Sequence, residues 1–449
     1  MAIDNLSEEQ FTGIINARLH PSSPITSNEY LFGREQQLET IKRSISSPGR
    51  QIFIYGDRGV GKTSLAQTAA FLHQSADREP ILVSCNSSTT FLQIITAILT
   101  KALGAPKKGG ASSHSIRASF GSGPSKAEAE YKYQASWDAS KPPTAMEFNQ
   151  AVSALATASA NYSERTIVVI DEFDLIKSTD EKACFADLVK QIADQRISIR
   201  LIFCGIGRSL EALLQTHGSA YRYFEAVELE RLTYGARFEI IDESAKALEV
   251  QVHDHARTRI ASVSDGFPHF VHLLCYNLYW EMYQDEVVLT KSTNAHYDAA
   301  VARTLKSAEL HWKAAYDRAT KRDIDDYEHI LWATADHADL QRSLTAIRAS
   351  YLEITTEMHV EPIPQNQMVT RLNTLKSRTC GQVLRTVRRS WYEFSESMLR
   401  GYVRLVAENS ECPLASEYEY GAEPRRVTAK SKAKARPLVH LTSKFKKPV

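Results

Sequence analysis

The sequence predicts an α/β fold: a parallel sheet organised around a glycine-rich loop, followed by a helical lid, a C-terminal winged helix and a basic tail. Three observations carry that expectation. An apolar, β-branched run, Gln51-Ile-Phe-Ile-Tyr55, ends in Gly56-Asp-Arg-Gly59-Val60-Gly61-Lys62-Thr63-Ser64 and continues into the helix-like Leu65-Ala-Gln-Thr-Ala-Ala-Phe-Leu72. A second apolar run, Thr166-Ile-Val-Val-Ile, stops at Asp171-Glu172. Further apolar runs, Pro80–Cys85 and Ser198–Arg208, alternate with helical stretches, the order that produces parallel strands joined by crossover helices.

The loop matches G-x-x-x-x-G-K-[ST], with the strand before it and the helix after it that the motif requires. A phosphate chain lies against successive backbone N–H groups only where no Cβ intervenes, which explains Gly56, Gly59 and Gly61. The helix that follows turns its free N–H groups and positive dipole end toward the same anion. Lys62 supplies charge for the β- and γ-phosphates, and the Thr63 hydroxyl is a ligand for Mg²⁺. Gly56, Gly59, Val60, Gly61, Lys62, Thr63 and Ser64 are thus the expected cradle of a nucleotide, with ATP and Mg²⁺ as cofactors.

Taken in order, residues 1–29 form a polar N-terminal arm with a short amphipathic piece around Phe11 to Leu19. Tyr30-Leu-Phe-Gly-Arg34-Glu-Gln-Gln-Leu then opens a helix with apolar positions at Leu38, Ile41 and Ile45. This entry, one helix before the phosphate loop, resembles initiator-type AAA+ ATPases and their STAND relatives. The resemblance implies that the segment, with Tyr30 and Arg34, lines an adenine pocket.

The core is expected over residues 30–230. After the strand Pro80–Cys85 and a helix from Phe91 to Leu103, an insertion at 104–143 is rich in Gly, Ser, Lys and Ala. Two alternating segments around Gly121-Ser-Gly-Pro124 fit a projecting hairpin, and a solvated flexible loop fits as well. A helical stretch from Ala145 to Ala160 leads to the acidic strand end. There Asp171 would hold Mg²⁺ through its water shell, and Glu172 would orient and deprotonate the attacking water.

After the strand Ser198–Arg208 the family usually has Asn, Ser or Thr as a γ-phosphate sensor. This chain offers Arg208, as STAND-type switches do, which implies a slow ATPase. Arg222, in His217-Gly-Ser-Ala-Tyr-Arg-Tyr-Phe, resembles the arginine directed at a neighbouring subunit's ATP, and a solvated surface arginine is the competing reading.

The lid is expected over residues 231–290. Within it Gly266-Phe-Pro268 resembles the G-x-P turn that lays a proline on adenine, and His269 and His272 read as packed side chains rather than metal ligands. A long helix from His296 to Arg318 opens residues 291–410. Helices at Asp326–Ala335, Leu340–Tyr351 and Gln365–Ser377, then strands at 381–388 and 390–395, follow the order of a winged helix. Its Arg371, Lys376, Arg378, Arg385, Arg388 and Arg389 could contact duplex DNA.

Charge is unevenly spread. From Arg425 to Val449 there are nine Lys or Arg and no acid, so the other 424 residues carry 45 basic against 53 acidic side chains, a balance of −8. The tail, residues 411–449, is expected to be disordered and drawn to polyanions. Six scattered cysteines without a C-x-x-C pair predict reduced thiols. No leader or membrane-length apolar run is present, so a cytoplasmic location is expected.

The leading functional expectation is a slow, homo-oligomeric ATP switch that controls a partner protein, in anti-phage defence or mobile-element biology as the resemblance implies. The alternative is a DNA-binding ATPase of initiator or transposition-regulator type. A third reading keeps nucleotide as a structural ligand only.

Overall fold

The computed structural model describes residues 3, 6–104, 147–215, 220–287, 289–321 and 326–414. The expected hairpin or loop insertion and the basic tail beyond residue 414 lie outside the described residues. The chain opens with α1 (Glu8–Arg18) and α2 (Glu35–Ser46). The core follows as β1 (Gln51–Tyr55), α3 (Lys62–His73), β2 (Ile81–Ser84), α4 (Phe91–Gly104), α5 (Phe148–Tyr162), β3 (Thr166–Asp171), α6 (Thr179–Asp194), β4 (Ile199–Gly205), α7 (Gly207–Gln215) and β5 (Phe224–Glu228).

The five strands are parallel, in the order β2-β3-β4-β1-β5. Because side chains alternate across a strand, β1 sends Ile52 and Ile54 to one face and Phe53 to the other. On the second face Phe53 meets Phe173, Phe203 and Phe224, with ring centroids 5.8–6.4 Å apart, beneath a layer made by α4 to α7. Each such pair adds about 0.5–1.5 kcal/mol beyond area burial. The first face is covered by α2 and α3, and its core runs on without a break into the arm and the rest of the chain.

Beyond the sheet stand α8 (Tyr234–Ala247), α9 (Asp254–Val263) and α10 (Pro268–Gln284), then α11 (Asn294–Ser307) and α12 (Leu310–Thr320). Last come α13 (Asp326–Ala335), β6 (Arg342–Ser343), α14 (Leu344–Glu357), α15 (Gln365–Leu375), β7 (Leu384–Arg388), β8 (Trp391–Phe394) and α16 (Ser397–Asn409), with a small sheet in the order β6-β8-β7.

Two sequence expectations need correction. The single helix from His296 to Arg318 is broken at Ala308-Glu309, whose extended backbone turns α12 so that Trp312 packs on Phe270 and donates to Glu396 at 2.9 Å. The helix expected from Leu340 begins only at Leu344. Arg342 and Ser343 pair instead with β8, and the buried Arg342 guanidinium donates to the Ala333 carbonyl.

The arm is less separate than its polarity suggests. Phe11 and Ile15 are buried, and Phe11 stacks on Tyr283 of α10 at 4.3 Å. All six cysteines are free thiols, five of them buried. No helix among the described residues is long and apolar enough to cross a membrane.

Candidate functional site

In a parallel sheet every strand delivers its C-terminal end to the same edge, so the turn after β1 and the acids after β3 emerge side by side across β4. The residues meet there. Thr63 Oγ1 donates to Asp171 Oδ2 at 2.7 Å.

The turn is shaped by backbone rather than side chains. A Cβ at Gly56 would collide with the Leu229 carbonyl oxygen, and Gly61 caps α3 with φ 96°, a left-handed conformation suited to glycine. Lys62 bends back over the loop, its ammonium donating to the carbonyls of Gly56 at 3.1 Å and Asp57 at 2.7 Å. Burial pulls the Lys62 pKa below its ordinary value, against the opposing pull of Asp174, Asp171 and Asp57. The charge is therefore held in a partly desolvated place, where an incoming anion is strongly attracted.

Glu172 is exposed and held at φ 55°, a conformation that costs a residue other than glycine about 1–3 kcal/mol. Its N–H donates to Asp171 Oδ1 at 2.8 Å, fixing the carboxylate that faces Thr63. A hydroxyl and a carboxylate in contact are hard oxygen ligands of the kind Mg²⁺ takes in ones and twos, with water and phosphate oxygens completing its shell. The residues fit that ion. Among the described residues no group of three or more His, Cys, Asp or Glu could hold a metal, so neither His269 nor His272 belongs to such a cluster.

Beside the loop runs a narrow cleft of about 30 Å³, lined by Ile25 of the arm, by Tyr30 and Arg34 just after it, by Val60, Gly61 and Ser64 of the loop, and by Pro268 and His272 of α10. It has room for about two waters. The Pro268 ring lies against Gly61, 3.8 Å from where a Cβ would project. Arg34, 4% exposed, does not reach into open space: its guanidinium donates to the carbonyls of Val60 at 2.9 Å and Glu230 at 2.8 Å. Burial pushes its pKa down to about 10. The Ser64 hydroxyl accepts the Ile25 N–H at 3.1 Å, which ties the arm to α3.

Arg208 follows β4 at the same end of the sheet as this group, whereas Arg222 stands apart from it. Arg208 falls in the first turn of α7, and its side chain lies outside the described residues. Arg222 is exposed, its guanidinium 5.6 Å from the Tyr223 ring. Gln51 pairs with Phe224, so Arg222 precedes β5 at the sheet edge opposite the loop, about 16 Å away at 3.3 Å per residue.

Three contributions were not legible in sequence. The arm crosses the cleft, His20 donates its N–H to His272 Nδ1, and Met398 at the start of α16 lies against Gly59 of the loop. The last has no local signal, since 339 positions separate the partners and only folding brings them together.

Residues 30–202 match the family described as an AAA ATPase domain. A Walker-type ATPase of Pyrococcus abyssi is similar in fold, with a TM-score of 0.51 and 17% identity over 85% of this chain and 99% of that one. The ORC2 protein of Aeropyrum pernix aligns with a TM-score of 0.47 and 14% identity over 89% and 98% of the two chains. For Cdc6p from Pyrobaculum aerophilum the values are 0.44 and 15% over 89% and 98%. No curated protein matches the chain in sequence.

Proposed function

We propose, from the premise that residues 30–202 carry an AAA ATPase domain, that this protein binds ATP with Mg²⁺ and hydrolyses it slowly to switch its domain arrangement. The observation that carries the reading is the contact between Thr63 and Asp171, which joins the phosphate loop to the acidic strand end. Lys62 and the free N–H groups at the start of α3 would hold the phosphates, and Thr63 and Asp171 would hold the metal, which supplies charge neutralisation when bound. Glu172 would orient and deprotonate the attacking water. Tyr30 and Pro268 would flank the base, while Arg34 holds the loop rather than the ligand.

The switch follows from where the cleft's walls come from. With room for about two waters it admits a base only as its walls part, and those walls belong to the arm, the core and the lid at residues 231–290. The expected winged helix within residues 291–410 is supported by the order helix, short strand, two helices and a ribbon. Its α16 rests on the loop through Met398, so nucleotide occupancy and domain posture are coupled. A homo-oligomer and a controlled partner protein complete the proposal, and their setting in defence or mobile-element biology rests on the STAND resemblance alone.

Lys62→Ala tests the site. Saturating ATP, at about 100-fold over Kd, raises wild-type stability by about 2.7 kcal/mol. The variant should show no thermal shift and no phosphate release, and a retained shift would place the nucleotide elsewhere.

Duplex DNA binding is the second reading, favoured by the exposed Arg378, Arg388 and Arg389 at the ribbon. Arg371 and Arg385 are already engaged, with Asp326 at 3.5 Å and Glu393 at 2.6 Å, and Lys376 donates to Thr386. Steeply salt-dependent duplex binding by the full chain, weakened by Arg388→Ala, would favour it.

A further inference from the structure

We infer that His272 reads the base: its Nε2–H donates to a ring nitrogen of the adenine in a bound adenosine nucleotide. The inference rests on the nucleotide reading above and adds the base contact which that reading leaves open. His272 stands one helical turn beyond Pro268, is 2% exposed, and lines the same cleft as Tyr30, Val60 and Gly61.

The tautomer follows from its surroundings. Nδ1 accepts the backbone N–H of His20 at 3.4 Å, and a ring nitrogen that accepts carries no proton. Burial, with His20 and His269 nearby, pushes the pKa down to about 3, so the ring is neutral and its single proton sits on Nε2. That nitrogen has no hydrogen-bond partner among the described residues. A buried donor without an acceptor is costly, and a ligand nitrogen in the cleft removes the cost.

The lining also selects among bases. Arg34 is committed to two carbonyls, the Ser64 hydroxyl accepts the Ile25 N–H, and no carboxylate among the described residues lines the cleft. Guanine would bring its N1–H and amino donors against a lining without an acidic acceptor. Adenine presents N1, N3 and N7, all acceptors, to the Nε2–H donor of His272.

Calorimetric binding of ATP and of 1-deaza-, 3-deaza- and 7-deaza-ATP to the full chain tests the assignment. One of the three analogues should bind the wild type on the order of tenfold more weakly than ATP. His272→Leu should bind ATP and that analogue alike. His272→Gln keeps an amide donor and should regain part of the discrimination, which guards against a leucine variant that misfolds. Equal binding of all four ligands by the wild type, or undiminished discrimination in His272→Leu, overturns the assignment. Failure of the wild type to bind ATP at all would overturn both the assignment and the reading beneath it.

Discussion

A single imidazole makes the chain's stability depend on pH. His272 folds neutral with a pKa near 3, whereas the unfolded chain takes up that proton at an ordinary value of about 6.5. Above that pH the two states bind equal numbers of protons. As pH falls toward 3 the unfolded state binds one more, so stability declines by about 1.4 kcal/mol per pH unit from this group. Urea unfolding between about pH 6 and about pH 4.5 should give the wild type a steeper loss than His272→Gln by that amount, and equal slopes would mean the ring is not buried and neutral. At this scale the phosphate loop was legible, because every residue type in it answers to a local demand for N–H groups, charge or a hydroxyl. His272 was legible only as a packed side chain, since its donor role depends on the arm, 252 positions away, supplying the N–H that sets its tautomer.

Elements are joined by a buried charge cluster. Asp265, in the turn between α9 and α10, receives Arg231 at 2.5 Å, Arg400 at 2.9 Å and Arg404 at 3.1 Å. Burial raises its pKa, but the three guanidiniums outweigh that and hold the carboxyl below its usual range. Three cations on one anion leave surplus charge. The carbonyls of Ala335, His337 and Ala338, at the negative end of α13, accept it. At its far end α16 is held again, with Glu408 accepting from Arg259 and from the Tyr297 hydroxyl. The α9–α10 segment and α16 are thus bolted together at two places. Asp265→Asn leaves buried cations unpaired and should cost about 3–5 kcal/mol of unfolding free energy, read by urea titration. A loss below about 1 kcal/mol would mean the carbonyls alone carry the arginines.

For the whole molecule the position of Arg222 is decisive. Arg222 is too far from its own loop to serve it, and its exposure leaves it available to a neighbour. Arg222→Ala should therefore lower phosphate release in assembled protein and leave a dilute monomer unchanged. Equal loss in both would assign Arg222 a role within its own chain. Mass measured with ADP and with a non-hydrolysable ATP analogue shows whether an assembly forms at all.

Sequence by itself determined the order of the α/β core, the loop, the acidic strand end and the ribbon near the C-terminus. These follow from periods of 2 and 3.6 and from the local needs of glycine, lysine and carboxylate. Tertiary structure alone decided that the arm crosses the cleft, that Arg34 grips the loop through Val60, that Asp265 gathers three arginines and that Met398 covers Gly59. The physical reason is that such contacts join segments far apart in the chain. Their partners meet because the apolar faces of the arm, one side of the sheet and the helices after β5 share one continuous core, and no short stretch of sequence records which distant neighbour that core will bring.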